Sequence, residues 1–153
     1  MATPLESLVQ EAKNGGLTVS FSPDIRVNAD EFVYMERDCT AFLDEIISMQ
    51  TQAQAIASRE KWGLGESTEG LSSAATLVGW FRGKAGKTGA ATDSANNVAD
   101  ILQQHYDIVV DIRDIHREIA KRYMAQDEEF AARYNELSAN VPPSAIGSTE
   151  GKA

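Results

Sequence analysis

A short glycine-rich basic segment is the first place in the sequence that could support chemistry. Residues 83–88 read Gly-Lys-Ala-Gly-Lys-Thr and contain the Gly-Lys-Thr string of phosphate-binding loops. The full motif needs another glycine five positions before Gly86, where this chain has Phe81. It also needs a buried strand in front of the loop, and no strand is predicted there. We therefore interpret residues 83–89 as a flexible basic loop and not as a nucleotide site.

Two histidines and one cysteine are the other residues that could hold a metal ion or act as a nucleophile. His105 and His116 are eleven positions apart, which is three turns of a helix and too far along its axis for one metal ion. His105 falls in an apolar stripe, where a polar residue more often fixes register than binds a ligand, and His116 is predicted on a solvated face. Cys39 lies in another apolar stripe, with no histidine or aspartate spaced to activate its thiol. The sequence therefore predicts no metal, no cofactor and no enzyme activity.

Composition and charge disfavour several classes of protein. The chain has 153 residues, which favours one domain, and 42% of them are hydrophobic, which is enough for a core. Lys and Arg total 14 against 23 Asp and Glu, for a net charge of -9. No nucleic-acid partner is expected, because such proteins need a basic surface, and electrostatic membrane binding is also disfavoured. The apolar runs are too short for stable membrane insertion, and the first residues lack the pattern of a Sec-type signal peptide.

The first of two long helices is predicted from Asn28 to the neighbourhood of Trp62. Asn28 or Asp30 can cap its N-terminus, and Glu31 adds negative charge to the first turn. Apolar residues then recur in alternating steps of three and four, the heptad pattern of a helix that packs along one stripe. This stripe consists of Phe32, Met35, Cys39, Phe42, Ile46, Met49, Ala53 and Ile56.

The second long helix is predicted over residues 92–138, and the polar residues 92–94 can cap it. Its apolar stripe keeps the same alternation as far as Ile119. A second consecutive step of four, to Tyr123, is a stutter that locally removes the left-handed supercoil. Two prolines end the helix after Val141. The stripe consists of Val98, Ile101, His105, Ile108, Ile112, Ile115, Ile119, Tyr123, Phe130, Tyr134 and Leu137.

These patterns predict an all-α fold built on a long antiparallel helical hairpin over residues 28–138, with an insertion at 66–92. Residues 1–27 form an N-terminal accessory segment, and residues 139–153 are predicted to be a disordered tail. A two-helix hairpin alone has a thin core. Either the accessory segments cover its stripes, or a partner chain completes a four-helix bundle.

Shorter elements and an aromatic pair lie outside the two long helices. Pro4–Lys13 is predicted to be a short helix ended by the glycine pair that follows it. Alternating residues over 17–21 predict a short extended stretch, and residues 71–81 predict a second short helix. The pair Trp80 and Phe81 has two interpretations: it caps the end of the hairpin, or it is an exposed anchor for a partner or a membrane.

Four residues near the end of the second long helix carry a resemblance to a known family. Tyr123 and Asp127 are spaced as in Tyr-x-x-x-Asp/Glu, which resembles the export signal of type VII (ESX) secretion substrates. Phe130 and Tyr134 complete a longer pattern, apolar-xxx-acid-xx-apolar-xxx-apolar, that is similar to the one in the WXG family of those substrates. Steps of four, three and four place all four residues on one face of a continuous helix. A receptor could bind such a face through apolar anchors and one charge, as a helix in a groove.

The turn between the two long helices adds to the resemblance. The WXG family has Trp-x-Gly there, and this chain has Trp62, Gly63 and Gly65, with Leu64 where the family has glycine. The resemblance covers residues 28–138. It implies a non-enzymatic helical protein that is cytoplasmic before export and secreted or on the cell surface afterwards. The partners it implies are a secretion ATPase or chaperone, and a small helical protein or a second copy of the chain.

Two other functions stay open on the sequence. One is an intracellular chaperone or adaptor that escorts a larger secreted partner. The other is a structural coiled-coil protein that associates through its apolar stripes.

Overall fold

The computed structural model describes residues 3–18, 27–86 and 96–147. The regular structure in these ranges is α-helical, so the predicted all-α class is confirmed. Most of the predicted extended stretch and the predicted caps at 92–94 lie outside the described residues. Within the described ranges the helices are α1 (Glu6–Asn14), α2 (Ala29–Ala57), α3 (Ser72–Ala85), α4 (Val98–Gln126) and α5 (Glu128–Ala139).

The C-terminus of α1 and the N-terminus of α2 follow local sequence signals. α1 ends because Gly15 adopts a left-handed conformation, with φ of 83°, and its N–H donates to the carbonyl of Ala12 at 3.4 Å. α2 begins after Asn28, whose Oδ1 accepts the backbone N–H of Asp30 at 3.0 Å. The predicted glycine end of the first helix and the predicted Asn28 cap are both confirmed.

The other helix ends differ from the prediction. α2 stops at Ala57, well before Trp62. α3 continues to Ala85, past the predicted end at residue 81, because Ala85 is buried and its packing supports the last turn. α4 begins at Val98, after the predicted start, and its cap is the buried Asn97, whose Oδ1 accepts the backbone N–H of Asp100 at 2.9 Å.

The described residues of 1–45 and 107–153 form one compact unit, which contains α1, the start of α2, the end of α4, and α5. Here α2 and α4 are antiparallel. Arg117 Nε donates to Glu36 Oε1 at 2.7 Å, and Phe32, earlier on α2, lies beside Tyr123, later on α4, with ring centroids 6.3 Å apart. The core of this first unit is formed by Val9, Ala12, Ala29, Val33, Leu43, Val109, Ala120 and Phe130.

The described residues of 46–106 form a second compact unit, which contains the end of α2, all of α3 and the start of α4. The side-chain amide of Gln50 on α2 donates to Gln103 on α4 at 3.0 Å. The core is made largely of small residues, which lets the helices approach closely. It consists of Ile46, Ala53, Ala57, Ala74, Val78, Ala85 and Asn97.

The apolar stripe of α2 is only half packed. One of its two heptad positions, at residues 32, 39, 46 and 53, is buried or half-buried. The other position is exposed in every repeat, at Met35, Phe42, Met49 and Ile56. On α4 the predicted register residue His105 is exposed as well, so its predicted place in a packed stripe is wrong. α2 therefore exposes two apolar side chains in each unit, Met35 and Phe42 in the first and Met49 and Ile56 in the second.

The chain after α5 contacts α2. Arg37 Nη1 donates to the carbonyl of Pro142 at 3.4 Å, and the Ser144 hydroxyl donates to Asp38 at 2.6 Å. The predicted tail thus begins with residues that lie against a helix, and its last residues, 148–153, lie outside the described ranges. No helix among the described residues has both the length and the hydrophobicity that crossing a bilayer requires.

Candidate functional site

The junction between α4 and α5 lies at Asp127. Its backbone is extended, with φ of -134° and ψ of 107°, and its Oδ1 accepts the backbone N–H of Phe130 at 3.0 Å. This is the geometry of a helix N-cap, in which an aspartate takes a free N–H of the following turn. The prediction of one continuous helix over residues 92–138 is therefore wrong at this point. An aspartate side chain competes with helix continuation by offering the backbone a local partner.

The break changes how the four predicted signal residues relate to one another. Tyr123 lies on α4, Asp127 in the break, and Phe130 and Tyr134 on α5, so the single helical face predicted from their spacing is not formed. The three rings nevertheless come together. The ring centroid of Phe130 lies 5.5 Å from that of Tyr123 and 6.2 Å from that of Tyr134. At these distances aromatic pairs attract beyond simple burial.

Phe32 of α2 completes this group of rings. Its centroid lies 5.8 Å from that of Phe130, edge to face, and 6.3 Å from that of Tyr123. We call Phe32, Tyr123, Phe130 and Tyr134 the aromatic cluster. Phe130 is its centre, with 5% of its surface exposed. Sequence reasoning missed Phe32 as part of the site, although its position at the start of the α2 stripe was the signal for its burial.

His116 borders the aromatic cluster. Its ring centroid lies 6.2 Å from that of Phe32, and its Nδ1 lies 2.7 Å from the carbonyl oxygen of Ile112. The side chain is half-buried, so the predicted solvated face is wrong. The reason is that the start of α2, which bears Phe32, packs over this part of α4.

Ion pairs hold α5 and α4 against α2 around the cluster. Arg133 donates to both carboxylate oxygens of Asp30, at 2.6 and 2.7 Å, and this contact holds the pKa of Asp30 below its usual range. Burial raises the pKa of the Tyr134 phenol, and the nearby Glu36 carboxylate adds to the rise. Because α5 is tied to α2 by both rings and charges, the junction at Asp127 is held in one arrangement.

A surface cavity of about 480 Å³ opens beside the junction. Its lining includes Tyr123, Phe130, Asp127, Glu129 and Arg133. The cavity thus combines aromatic edges with carboxylates and one guanidinium. This combination suits the binding of an apolar side chain with a polar rim, and it contains no nucleophile beside a base.

The predicted turn residues form a compact structure in the second unit. Gly63 and Gly65 have φ of 75° and 86°, a region in which glycine is strongly favoured. The Glu66 carboxylate accepts backbone N–H groups from Trp62 at 2.5 Å, from Leu64 at 2.9 Å and from Gly63 at 3.3 Å. Glu66 was missed at the level of sequence, where only its place after two glycines pointed to it. These bonds, first of all that from Trp62, lower the pKa of Glu66 from 4.5 to about 2.

The lowered pKa of Glu66 predicts a pH-dependent contribution to stability. A carboxyl group with a lower pKa in the folded state stabilises the fold above its unfolded pKa. Here that contribution is lost as the pH falls from 4.5 toward about 2. We expect a carboxyl-carbon NMR titration of Glu66 to have its midpoint near 2. We also expect Glu66→Gln to destabilise the protein more at neutral pH than at pH below the lowered pKa. Glu69→Gln, at an exposed acid nearby, is the control, and a Glu66 midpoint at the ordinary value would contradict the assignment.

Trp80 and Phe81 have different environments. Phe81 stacks on Trp62, with ring centroids 5.8 Å apart and planes 11° from parallel. Trp80 is 68% exposed. Phe81 thus packs on the residues that follow α2, while Trp80 is the exposed member of the pair, and both interpretations, a cap over the end of the hairpin and an exposed anchor, stay predictions.

The remaining candidate residues are Cys39 and the glycine-rich basic segment. Cys39 is half-buried, and burial raises the pKa of its thiol, which disfavours the reactive thiolate. Residues 83–85 of the predicted loop belong to α3, and residues 87 and 88 lie outside the described ranges. In the part of the chain that the structure describes, no three His, Cys, Asp or Glu side chains are grouped to hold a metal ion.

The candidate site is therefore the α4–α5 junction with its aromatic cluster and adjoining cavity. It brings together all four residues of the predicted signal and adds Phe32 to them. No protein-family model, curated protein or solved structure matches this chain.

Proposed function

We propose that this chain is a non-enzymatic helical protein that is exported by, or associated with, a type VII secretion system and is recognised at the α4–α5 junction. The observation that supports the proposal is the geometry of the junction. Asp127 is exposed at a helix break and stands beside the rings of Tyr123 and Phe130 in one fixed arrangement.

Recognition at this junction would use shape as well as spacing. The N-cap bond to Phe130 fixes the position of the Asp127 carboxylate, and the aromatic cluster fixes the direction in which α5 leaves the break. A secretion ATPase or a chaperone would then meet a preformed surface with aromatic edges and one charge. Preformed surfaces bind with a smaller loss of conformational entropy than flexible peptides do.

The exposed heptad residues of α2 support a helical partner for the same protein. Met35 and Phe42 are exposed in the first unit, and Met49 and Ile56 in the second. A small helical protein or a second copy could cover each set with its own apolar stripe, as in a four-helix bundle. The same exposed residues favour a second candidate function, an intracellular adaptor that binds a larger secreted partner.

Variants at Asp127 can separate recognition of its charge from its role as a cap. Asparagine caps a helix about as well as aspartate does but carries no charge. Alanine provides neither the cap nor the charge. We expect Asp127→Asn to lower export into the medium at least about tenfold, because hydrogen bonds to charged groups contribute about 1.5–3 kcal/mol. The assay follows the tagged full-length chain in an actinobacterial host with an active type VII system. Glu128→Gln, which removes a neighbouring exposed charge on the first turn of α5, is the matched control.

The outcomes of this assay distinguish the two candidates. Full export of Asp127→Asn together with loss of Asp127→Ala would mean that only the cap matters, and the proposed charge recognition would be wrong. Export of all variants would remove the junction from recognition altogether. A chain that stays inside the cell and copurifies with a secreted protein would favour the adaptor function.

A further inference from the structure

One face of α3 is apolar and exposed. Leu77, Trp80, Phe81 and Lys84 follow one another in steps of three, one and three, which places them on a single side of the helix. All four are exposed, and Trp80 is the most exposed of the large hydrophobic residues that the structure describes. We call these four residues the α3 surface.

The adjoining face of the same helix is already packed. Ala74, Val78 and Ala85 are buried in the core of the second unit. The apolar part of α3 is therefore wider than the face that the second unit buries, and Leu77, Trp80 and Phe81 are the exposed part of it. Packing within the second unit covers Ala74, Val78 and Ala85 and leaves the α3 surface exposed.

The charge of this segment is opposite to that of the chain. Residues 70–92 contain Arg82, Lys84 and Lys87 and no acidic residue, in a chain whose net charge is -9. Arg82 Nη2 donates to the carbonyls of Arg59 and Glu60, at 2.6 and 3.0 Å, so its charge is fixed next to the α3 surface. Glu69 and Asp93 flank this segment in sequence, and the Glu66 carboxylate accepts the N–H of Trp62, whose ring stacks on Phe81. More distant acidic residues have less influence, because physiological salt screens charges over about 8 Å.

We propose that the α3 surface binds peripherally to an anionic phospholipid membrane. α3 would lie along the interface, with Trp80 and Leu77 among the acyl chains and Lys84 at the level of the phosphates. Tryptophan suits this depth because its ring is apolar and its N–H can face water, and lysine can extend its charge toward the headgroups. This inference goes beyond the proposed export function and does not depend on it.

A membrane fits the α3 surface better than a groove on a protein does. Phe81 lies flat against Trp62, so this part of the exposed patch is broad and shallow, and Trp80 is the side chain that extends from it. Beside the patch, a Cβ at Gly79 or Gly83 would meet no atom of the described residues within 4 Å. A shallow patch with basic neighbours needs no shape-matched partner to become buried.

Vesicle binding by the full chain tests this proposal. In the Trp62→Phe background, Trp80 is the remaining tryptophan and reports its own environment. We expect vesicles of equal parts phosphatidylglycerol and phosphatidylcholine to shift its emission to the blue and to sediment the protein. Binding should weaken in high salt, and it should be much weaker on pure phosphatidylcholine.

Two substitutions in the otherwise unchanged chain assign the binding to the α3 surface. We expect Trp80→Ser to weaken sedimentation with the anionic vesicles about tenfold or more. Lys84→Glu should weaken it more than about fivefold, since each basic residue near an anionic surface contributes about 1 kcal/mol. The controls are Val98→Ser, at another exposed apolar residue of the second unit, and Lys13→Glu, the same charge change on α1.

Several results would overturn the proposal. These are an unchanged Trp80 emission with anionic vesicles, equal binding to neutral vesicles, or equal losses in the control variants. Saturable binding of the chain to an acidic protein through Trp80, without any binding to vesicles, would also overturn the proposal. That result would assign the α3 surface to a protein partner.

Discussion

Phe130→Ala is expected to lower the free energy of unfolding by about 3–5 kcal/mol, the usual cost of removing a buried phenylalanine. Phe130 is 5% exposed. Its ring contacts three others, with centroids 5.5 Å away at Tyr123, 5.8 Å at Phe32 and 6.2 Å at Tyr134. Alanine would leave a cavity at the centre of the aromatic cluster and would remove every ring contact that joins α5 to α2 and α4 through this residue.

Chemical denaturation of the purified chain measures this effect. Phe42→Ala is the matched control, because Phe42 is also a phenylalanine but lies exposed on α2. We expect this control to lower the free energy of unfolding by less than about 1 kcal/mol. Phe130→Leu, which keeps much of the buried volume, should fall between the two. Equal losses in Phe130→Ala and Phe42→Ala would contradict the central position assigned to Phe130.

The same variant bears on export. The aromatic cluster fixes how α5 leaves the break at Asp127, so Phe130→Ala should loosen the junction while leaving the Asp127 carboxylate in place. We therefore expect reduced export of Phe130→Ala even under conditions in which it stays folded. Asp127→Asn, by contrast, should lose export with the junction intact.

Features that depend on neighbouring residues could be predicted from the sequence. The all-α class followed from the apolar spacing of the long helices, the end of α1 from Gly15, and the start of α2 from Asn28. Each of these is decided within one or two helical turns, by backbone conformation or by a side-chain cap.

The break at Asp127 could not be predicted, because two local signals conflict there. Apolar residues continue on both sides of it, at Tyr123, Phe130 and Tyr134, in steps that a continuous helix would also give. An aspartate inside such a pattern can be a solvated helix residue or a cap. The contact of Phe130 with Phe32, far away in sequence, stabilises the arrangement in which Asp127 is a cap.

The sequence also could not predict which residues of an apolar stripe are buried. The α2 stripe is uniform in sequence, yet Ile46 and Ala53 are buried while Met49 and Ile56 are exposed. Periodicity identifies the side of a helix that is apolar, but the packing of other helices decides which residues on that side lose their contact with water.

The docking of α1 on α4 is a further long-range feature, and it has a definite electrostatic basis. At the N-terminal end of α1, the buried Asp111 carboxylate accepts the Thr3 hydroxyl at 2.8 Å and the Leu5 N–H at 2.9 Å. At the other end, Arg122 donates to the carbonyls of Ala12 and Leu17, both at 2.6 Å. A helix is partly positive at its N-terminus and partly negative at its C-terminus, so each charge lies at the end that it stabilises.

The spacing of these two charges matches the length of α1. Asp111 and Arg122 are eleven positions apart on α4, which corresponds to about 16 Å, and the nine residues of α1 span about 13.5 Å. Apart from these contacts, α1 buries only two of its own side chains, Val9 and Ala12. The charges at the two ends should therefore contribute a large share of the free energy that holds α1 in place.

Asp111→Ala is accordingly expected to release α1 and to lower the free energy of unfolding by about 3 kcal/mol, because hydrogen bonds to a buried charge are lost and the Leu5 N–H loses its partner. Hydrogen exchange of the α1 amides should accelerate about a hundredfold, while that of α2 changes little. Asp114→Ala, one turn further along α4 at a half-exposed ion pair with Arg117, is the control and should cost less than about 1 kcal/mol. If α1 stays protected in Asp111→Ala, then the apolar contacts of Val9 and Ala12 hold it, and the match between charge and helix ends is incidental. If α1 is released, two polar contacts on α4 decide whether this helix is bound, which the apolar pattern of the sequence does not reveal.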